Sequence, residues 1–347
     1  MMKRIKKIYK GLALVFKLLV KRPKGLKHFL LSTVSYLLRS PSAWGMPVNI
    51  TIEPCSVCNL RCPGCETGKN ILNREKGMLS LENFKKIIDR IKPFANSIYL
   101  YYMGEPFVNK DIYEMIAYAK KHRIFVTTCT NGSFIDAIRL VDSGLDEISF
   151  QIGGLTQETH EVYRRGSVLT EIEKNIRALS EEKKRRGASH PRILIGYILM
   201  KHNEHEIARK GEDMLALKAR QWGADGFTVI SPAFRSVKEA LEELPSDKKY
   251  WLYDEETLKN GRLVSVSYKH NDCSWIWYST VININGDIVP CCRDVYLGYK
   301  MGNIFEKPLE DIWNNEKYRS FRRKIMTSKK DITMCDVCSS FWIPEMK

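Results

Sequence analysis

Cysteines are the residues of this 347-residue chain whose spacing most clearly predicts chemistry, and nine of the ten fall into two clusters. The first cluster contains Cys58, Cys62 and Cys65 in a C-x3-C-x2-C pattern. Three thiolates on one short loop can hold three irons of a [4Fe–4S] cluster and leave the fourth iron open to a chelating amine and carboxylate. Cys55 adds a second C-x2-C pair, so a zinc knuckle with four thiolates is the alternative.

The second cluster lies near the carboxyl terminus and comprises Cys273, Cys291, Cys292, Cys335 and Cys338. Four thiolates fit one further [4Fe–4S] cluster without an open iron, and a structural zinc ion is again the alternative. In a reducing compartment, clustered cysteines bind metal more often than they pair as disulfides. These cysteines therefore predict a protein with two metal centres, the second of which transfers electrons.

Positive charge is concentrated at the start of the chain. The formal net charge is +16, and residues 1–45 contain eleven Lys and Arg but no acidic residue. The rest of the chain has an excess of only five positive charges. A protein body with so little excess charge does not indicate nucleic-acid binding, and we expect no nucleic-acid partner.

The pattern of this leader predicts an amphipathic helix, with lysines on one face and aliphatic residues on another. Pro23 is expected to end or kink the helix, and a second apolar stretch follows at 29–38. Neither stretch reaches the roughly 20 apolar residues of a membrane span, and no secretory signal is recognisable. We therefore expect a cytoplasmic protein whose leader lies on an anionic membrane surface. The alternatives are a helix packed on the body, or a disordered or partner-binding segment.

Alternating strand and helix patterns must position the cysteines. Strands are predicted at 48–53, 97–102, 125–129, 147–152, 192–199 and 226–230, and helices at 80–91, 110–121, 135–143, 169–185 and 205–222. Six β/α units in this order predict an α/β fold, a partial (β/α)6 TIM-type barrel with a parallel sheet. Chemistry in such barrels gathers at the carboxyl ends of the strands, and the first cysteine cluster follows the first strand directly.

The spacing of Cys58, Cys62 and Cys65, with Asn59-Leu60 between the first two, resembles the signature of the radical S-adenosylmethionine (SAM) superfamily. The resemblance extends over residues 48–230. Further segments match the family in order along the predicted elements: Gly104-Glu105-Pro106, Thr130-Asn131-Gly132, Ser149 to Gly154, Tyr163 to Gly166, and Asn203. The family's chemistry is reductive cleavage of SAM to a 5′-deoxyadenosyl radical, which then abstracts a hydrogen atom from the substrate.

The resemblance implies which residues contact SAM. It assigns Gly104, Glu105 and Pro106 to the methionyl amine, Ser149 or Gln151 to the ribose, Arg164 to the carboxylate, and Asn203 to a recurrent Asn of the family. The sequence departs from the family at Met103, which replaces a Gly, and at Gly64, which replaces an aromatic residue near the adenine. Cys55 is interpreted as a thiol that does not bind the cluster, because three thiolates suffice.

The second cysteine cluster resembles the SPASM/Twitch domains that follow many radical SAM barrels. Asn285-Gly286 predicts a hairpin whose returning strand ends at Cys291, and strand alternation is expected to point Cys292 away. The resemblance implies one auxiliary [4Fe–4S] cluster, with Cys273, Cys291, Cys335 and Cys338 as ligands. The expected organisation is a leader at 1–45, a barrel at 46–260 and a small α+β iron–sulfur domain at 261–347.

The resemblance implies an oxidoreductase-like enzyme. Its expected substrate is a sugar, a cyclitol or a lipid-linked small molecule, with flavodoxin or ferredoxin as the reductant and the auxiliary cluster as electron acceptor. A SPASM maturase that modifies a peptide or protein is the second expectation, although the 45-residue leader is short for a peptide-recognition domain. The third is a non-catalytic iron–sulfur or zinc protein at membranes. No residue is singled out as a general base.

Overall fold

The computed structural model describes residues 23–208, 213–266, 270–336 and 338. The strands are β1 (Asn49–Ile52), β2 (Ser97–Tyr99), β3 (Phe125–Thr130), β4 (Glu147–Ile152), β5 (Arg192–Ile198), β6 (Gly226–Ile230), β7 (Ser279–Ile282), β8 (Asp287–Val289) and β9 (Gly302–Asn303). The helices are α1 (Pro23–Leu37), α2 (Leu81–Ile91), α3 (Ile112–Lys121), α4 (Ala137–Asp142), α5 (Gln157–Tyr163), α6 (Leu169–Arg185), α7 (His205–Ala208), α8 (Asp213–Trp222), α9 (Val237–Glu243), α10 (Glu255–Lys259), α11 (Trp275–Tyr278), α12 (Leu309–Trp313), α13 (Glu316–Ser328) and α14 (Thr333–Asp336).

The strands of the described residues form one sheet of order β6-β5-β4-β3-β2-β1-β7-β8-β9. Strands β1 to β6 pair in parallel with their neighbours, which confirms the predicted α/β fold. Strand β7 pairs in parallel with β1, and β8 and β9 continue the sheet in antiparallel pairs. The carboxyl-terminal hairpin therefore extends the sheet of the barrel, and the predicted boundary at 260/261 stays a prediction.

Apolar side chains explain why the barrel elements form where they do. Ile50 and Ile52 of β1 are fully buried, as expected for a parallel strand covered on both faces. Helix α2 buries Phe84 and the isoleucines that follow it at helical spacing. The side chain of Ser80 caps this helix by accepting a hydrogen bond from the backbone N–H of Asn83, so the helix begins where the sequence predicted.

Strand β2 ends at Tyr99, three residues earlier than predicted. The chain turns there toward the first cysteine loop, where the backbone N–H of Glu105 donates to the carbonyl oxygen of Val57 at 2.9 Å. A Cβ atom on Gly104 would clash with the carbonyl oxygen of Cys55, so only glycine permits this approach. Leu100 still donates its backbone N–H to the carbonyl oxygen of Thr127 at 2.9 Å, whereas Tyr101, Tyr102 and Met103 line a cavity.

Helix α1 differs from the predicted leader. It begins at Pro23, a residue favoured in the first turn of a helix, and runs to Leu37. The helix predicted for the residues before Pro23 lies outside the described residues. The predicted helix at 205–222 is represented by α7 and α8, between which residues 209–212 are not described, and α5 was not predicted. None of the helices in the described ranges has the length and hydrophobicity to cross a membrane.

Candidate active site

A cavity of about 220 Å³ lies at the carboxyl ends of β1 to β4. Residues from several parts of the chain line it: Cys58, Cys62, Cys65, Gly104, Glu105, Gln151 and Arg164, all predicted from the sequence, together with Tyr101, Tyr102, Cys129 and Tyr163. Pro106, Ser149 and Asn203 are not part of its wall. The structure therefore brings three cysteines and four of the seven predicted SAM contacts to one place.

The loop that carries the three cysteines is shaped by hydrogen bonds to its own backbone. The backbone N–H of Leu60 donates to Cys58 Sγ at 3.4 Å, and that of Cys65 donates to the carbonyl oxygen of Cys62 at 3.2 Å. A Cβ atom on Gly68 would lie 2.6 Å from the backbone nitrogen of Cys62, so the loop closes tightly on itself there. This wrapping turns the three thiols toward a single cavity.

Cys55 lies apart from these three thiols. It is fully buried, and its Sγ exchanges hydrogen bonds with the backbone of Val57 at 3.3 and 3.4 Å. Burial raises the pKa of Cys55 to about 11. Because Cys55 does not belong to the cavity wall, its position agrees with the interpretation that it is not a cluster ligand.

The electrostatics of the cavity fit an iron–sulfur cluster and SAM. Burial raises the pKa of Cys58 to about 11 and also raises that of Cys62, so thiolates here require a compensating positive charge, which iron supplies. The guanidinium of Arg164 lies 4.0 Å from Cys62 Sγ. Its Nε is buried and has no hydrogen-bond partner in the structure. A buried, unpaired guanidinium donor suits the carboxylate of SAM.

Glu105 is almost fully buried, and its carboxylate is used within the protein. It accepts hydrogen bonds from the hydroxyl of Thr130 and the backbone N–H of Asn131, both at 2.7 Å, and from that of Phe107 at 3.1 Å. Burial raises the pKa of Glu105, and these hydrogen bonds partly oppose the shift. Glu105 therefore joins the carboxyl ends of β2 and β3 behind the cysteine loop.

Of the other predicted contacts, Gln151 and Ser149 lie together and Asn203 lies elsewhere. The side-chain amide of Gln151 donates to Ser149 Oγ at 2.7 Å, and Gln151 reaches the cavity. Asn203 is fully buried, and its amide donates to the carbonyl oxygens of Gly153 at 2.7 Å and Ile198 at 2.8 Å. Asn203 therefore holds together the loops that follow β4 and β5, and the structure does not bring it to the cavity.

Sequence reasoning missed Tyr101, Tyr102, Cys129 and Tyr163 as cavity residues. Cys129 was predicted to end the third strand, so the rule that chemistry gathers at carboxyl ends would have identified it. Position 64 is a glycine in this chain instead of the aromatic residue of the family, and Tyr163 lies beside it. A Cβ atom on Gly64 would lie 3.0 Å from the hydroxyl oxygen of Tyr163. The ring of Tyr163 therefore occupies space that a larger residue 64 would need.

The second set of cysteines corrects one prediction. Strand β8 ends at Val289, so Cys291 and Cys292 follow the strand, and strand alternation cannot decide between them. Burial raises the pKa of Cys273 to about 12, and the negative charges of Cys291 and Cys338 act in the same direction. The charges of these thiols therefore interact, although no three cysteines of the described residues form a metal-binding group in this structure. Cys292 forms a hydrogen bond with Cys291.

A buried ion pair connects the two cysteine regions. Glu53, at the end of β1, receives two hydrogen bonds from the guanidinium of Arg74, at 2.8 and 2.5 Å. Their side chains are 0 and 7% exposed. The same carboxylate accepts a hydrogen bond from the backbone N–H of Ile284, in the carboxyl-terminal hairpin, at 3.4 Å. The guanidinium also lies 5.6 Å from the ring of Tyr102 in the cavity wall.

Comparisons with known proteins agree with this architecture. Residues 52–213 match the model of the radical SAM superfamily, and residues 273–339 match that of the SPASM iron–sulfur cluster-binding domain.

The tungsten-containing aldehyde ferredoxin oxidoreductase cofactor-modifying protein of Pyrococcus furiosus is 25% identical over 320 residues, which cover 83% of this chain and 87% of that protein. The PqqA peptide cyclase of Granulibacter bethesdensis is 25% identical over 301 residues, which cover 79% and 76%. The solved structure of Streptococcus suis SuiB bound to precursor peptide SuiA shares the fold, with a TM-score of 0.62 and 18% identity over 90% of this chain and 75% of that chain.

Proposed function

The chain is a radical SAM enzyme with a carboxyl-terminal SPASM domain, and on this basis we propose that it modifies a C–H bond of a peptide. Its cofactors are SAM and [4Fe–4S] clusters, one at the barrel and the auxiliary kind in the SPASM domain. When bound, they supply a 5′-deoxyadenosyl radical that can abstract a hydrogen atom. The protein must then hold the substrate C–H bond close and exclude water.

The observation that carries the proposal is the similarity to a peptide cyclase over 79% of the chain. The expectation of a sugar, cyclitol or lipid-linked substrate has no comparable support. The structure also has a second cavity beside the proposed SAM site. Tyr163 separates the main cavity from a second one of about 160 Å³, which is lined by Phe234 and by the half-exposed Val162. Because the proposal places the cluster and SAM in the main cavity, the second cavity is the space that it leaves for a substrate.

The two sets of cysteines and three further residues receive roles in this proposal. Cys58, Cys62 and Cys65 hold the SAM-binding cluster, and Arg164 binds the SAM carboxylate through its Nε, which is otherwise unpaired. Cys273, Cys291, Cys335 and Cys338 hold one auxiliary cluster. Glu105 and Asn203 position the loops around the cavity. Flavodoxin or ferredoxin is the proposed source of the electron that starts the reaction.

The test is an anaerobic assay with reconstituted enzyme, SAM and reductant. Short peptides encoded beside the gene are the candidate substrates. We expect one of them to change mass in a SAM-dependent manner, with deuterium from the labelled peptide appearing in 5′-deoxyadenosine. The proposal fails if these peptides remain unchanged while the enzyme consumes a small molecule. The matched control is the Cys58→Ala/Cys62→Ala/Cys65→Ala variant, which must be inactive in both measurements.

A second candidate substrate is an organic cofactor. The similar protein of Pyrococcus furiosus is named for cofactor modification, and it matches 83% of this chain. The two candidates differ in what stimulates SAM cleavage. A peptide substrate is expected to accelerate release of 5′-deoxyadenosine, whereas an isolated cofactor or its precursor has no effect. The opposite pattern favours the second candidate.

A further inference from the structure

Helix α1 presents apolar side chains to the outside of the protein. Leu30, Val34, Leu37 and Leu38 are 49, 43, 70 and 65% exposed. The spacing of four and three places Leu30, Val34 and Leu37 on one face of the helix, and Leu38 follows its last residue; we call these four side chains the outer stripe. Trp44 is 50% exposed and lies beside the helix, because its backbone N–H donates to Ser35 Oγ at 3.3 Å. A contiguous apolar patch of this kind on a protein surface usually marks an interaction site.

The opposite face of α1 is fixed to the protein body. The hydroxyl of Tyr36 donates to the carboxylate of Asp272 at 2.8 Å, and that of Tyr278 to Thr33 Oγ1 at 2.9 Å. The indole N–H of Trp277 donates to the carbonyl oxygen of Ser40 at 3.0 Å, just after the helix. The outer stripe is therefore held in a defined orientation.

Charge identifies the surface that this stripe fits. Ten of the eleven basic residues in the first 45 positions lie within residues 1–27, and Glu53 is the first acidic residue of the chain. A second copy of the chain could cover the stripe, but it would bring together two chains that each have a formal net charge of +16. We propose that the outer stripe docks on an anionic lipid bilayer, with its apolar side chains entering the interface, and that the positive charge of the amino-terminal sequence favours anionic headgroups.

The position of α1 also determines how the docked protein is oriented. Gly25 lies against Asn96, which immediately precedes β2, and Phe29 packs on Tyr278, which precedes β7. Helix α1 thus covers the amino ends of these strands, whereas the active-site cavity lies at the carboxyl ends. Docking leaves the cavity facing away from the bilayer, so its substrate arrives from the aqueous side.

The experiment is co-sedimentation of the holoenzyme with vesicles of phosphatidylcholine alone or mixed with phosphatidylserine. We expect binding only to the mixed vesicles, weakened by added salt. Leu30→Gln/Val34→Gln/Leu37→Gln keeps the net charge and should lower the partition coefficient about tenfold or more. Ile138→Gln/Leu241→Gln is the matched control, because these side chains are 56 and 57% exposed on other helices. Lys3→Gln/Lys6→Gln/Lys7→Gln/Lys10→Gln should reduce binding to a similar degree.

Three results would overturn the proposal. The first is wild-type protein that remains in solution with both kinds of vesicle. This result would also overturn the proposal if the protein elutes from size-exclusion chromatography as a dimer that the stripe variant disrupts. The second is a stripe variant that binds as the control does. The third concerns orientation: SAM cleavage by vesicle-bound enzyme should match that of the free enzyme, and inhibition on binding would contradict an outward-facing cavity. None of these readouts depends on the peptide substrate.

Discussion

The two cysteine regions of this enzyme reach their positions by different means. Cys58, Cys62 and Cys65 lie within eight consecutive residues, and backbone hydrogen bonds inside that loop direct their side chains. Cys273 and Cys338 approach each other only when the carboxyl-terminal hairpin and helices have packed. A motif contained in one loop can be recognised from spacing alone, whereas a dispersed set depends on the tertiary structure around it.

The largest expected effect separates the two regions by function. Cys58→Ala/Cys62→Ala/Cys65→Ala should abolish release of 5′-deoxyadenosine and remove about four irons per chain. Cys273→Ala/Cys335→Ala should also remove about four irons, yet retain SAM cleavage and lose only conversion of the substrate. Iron analysis and chromatography of the products measure both quantities. Cys55→Ala is the matched control, since Cys55 lies outside the cavity wall, and it should keep all its iron.

A triple variant that still cleaved SAM would contradict the assignment of the first region. A Cys273→Ala/Cys335→Ala variant unable to cleave SAM, with its remaining cluster intact by spectroscopy, would show that the regions do not act separately.

The next effect concerns the buried ion pair between the regions. Arg74→Met leaves the carboxylate of Glu53 buried without its partner, which should lower the free energy of unfolding by about 3–5 kcal/mol. Glu53→Gln/Arg74→Met removes both charges and should cost much less. Denaturant unfolding of the three proteins measures the difference. Equal losses in the single and double variants would mean that the charge pairing itself is unimportant.

The sequence predicted the barrel well because its elements have strong local patterns. Strands β4 and β6 have the predicted bounds, and the spacing of buried residues in α6 identified that helix to the residue. The prediction for β2 was wrong at its end, because contact between Gly104 and the cysteine loop overrides the β-rich pattern of Tyr101 and Tyr102. Such a contact joins residues almost fifty positions apart, and nothing in the local sequence indicates it.

The predictions for the candidate site divide in the same way, between local motifs and contacts that form only in the folded chain. The cysteine loop and Arg164 followed from motifs, and the structure places them together. Asn203 matched a motif equally well, but its amide is used by two carbonyl oxygens away from the cavity. The ion pair of Glu53 and Arg74 could not be predicted, since only the folded chain shows that both side chains are buried.

A smaller expected effect concerns His160, which lies on helix α5 near the first cysteine region, and the pH dependence of the free energy of unfolding. His160 is fully buried on α5, where its ring accepts a hydrogen bond from the backbone N–H of Gly153 at 3.2 Å and pairs with Ser167 Oγ at 2.9 Å. Burial, and secondarily the charge of Arg164, lowers the pKa of His160 from 6.5 to about 4. Its contribution to stability is complete above pH 6.5 and is lost as the pH falls toward 4.

We therefore expect the free energy of unfolding to fall by about 2 kcal/mol between roughly pH 7 and pH 5 on account of this residue. Urea titrations at several pH values measure it. His160→Gln cannot titrate, so its pH dependence should be shallower by that amount even if the variant is less stable overall. Parallel curves for the two proteins would show that His160 does not titrate in this way.

The smallest expected effect distinguishes Cys291 from Cys292. Cys291 contributes to the raised pKa of both Cys273 and Cys335, which places its thiol among them. Cys292 contributes to the raised pKa of Tyr101, which lines the active-site cavity, whereas both cysteines contribute to that of Tyr102 and Cys338 also acts on Cys292. Cys292→Ala should consequently leave the iron content unchanged, whereas Cys291→Ala should lose about four irons.

The pair of variants is well matched, because each removes one partly buried cysteine sulfur from adjacent positions of the chain. Loss of iron in Cys292→Ala with retention in Cys291→Ala would exchange the two assignments. Loss in both would mean that the turn, and not one thiol, holds the cluster. If Cys292→Ala retains its iron, the thiol of Cys292 is not a ligand, and its removal should alter turnover more than stability.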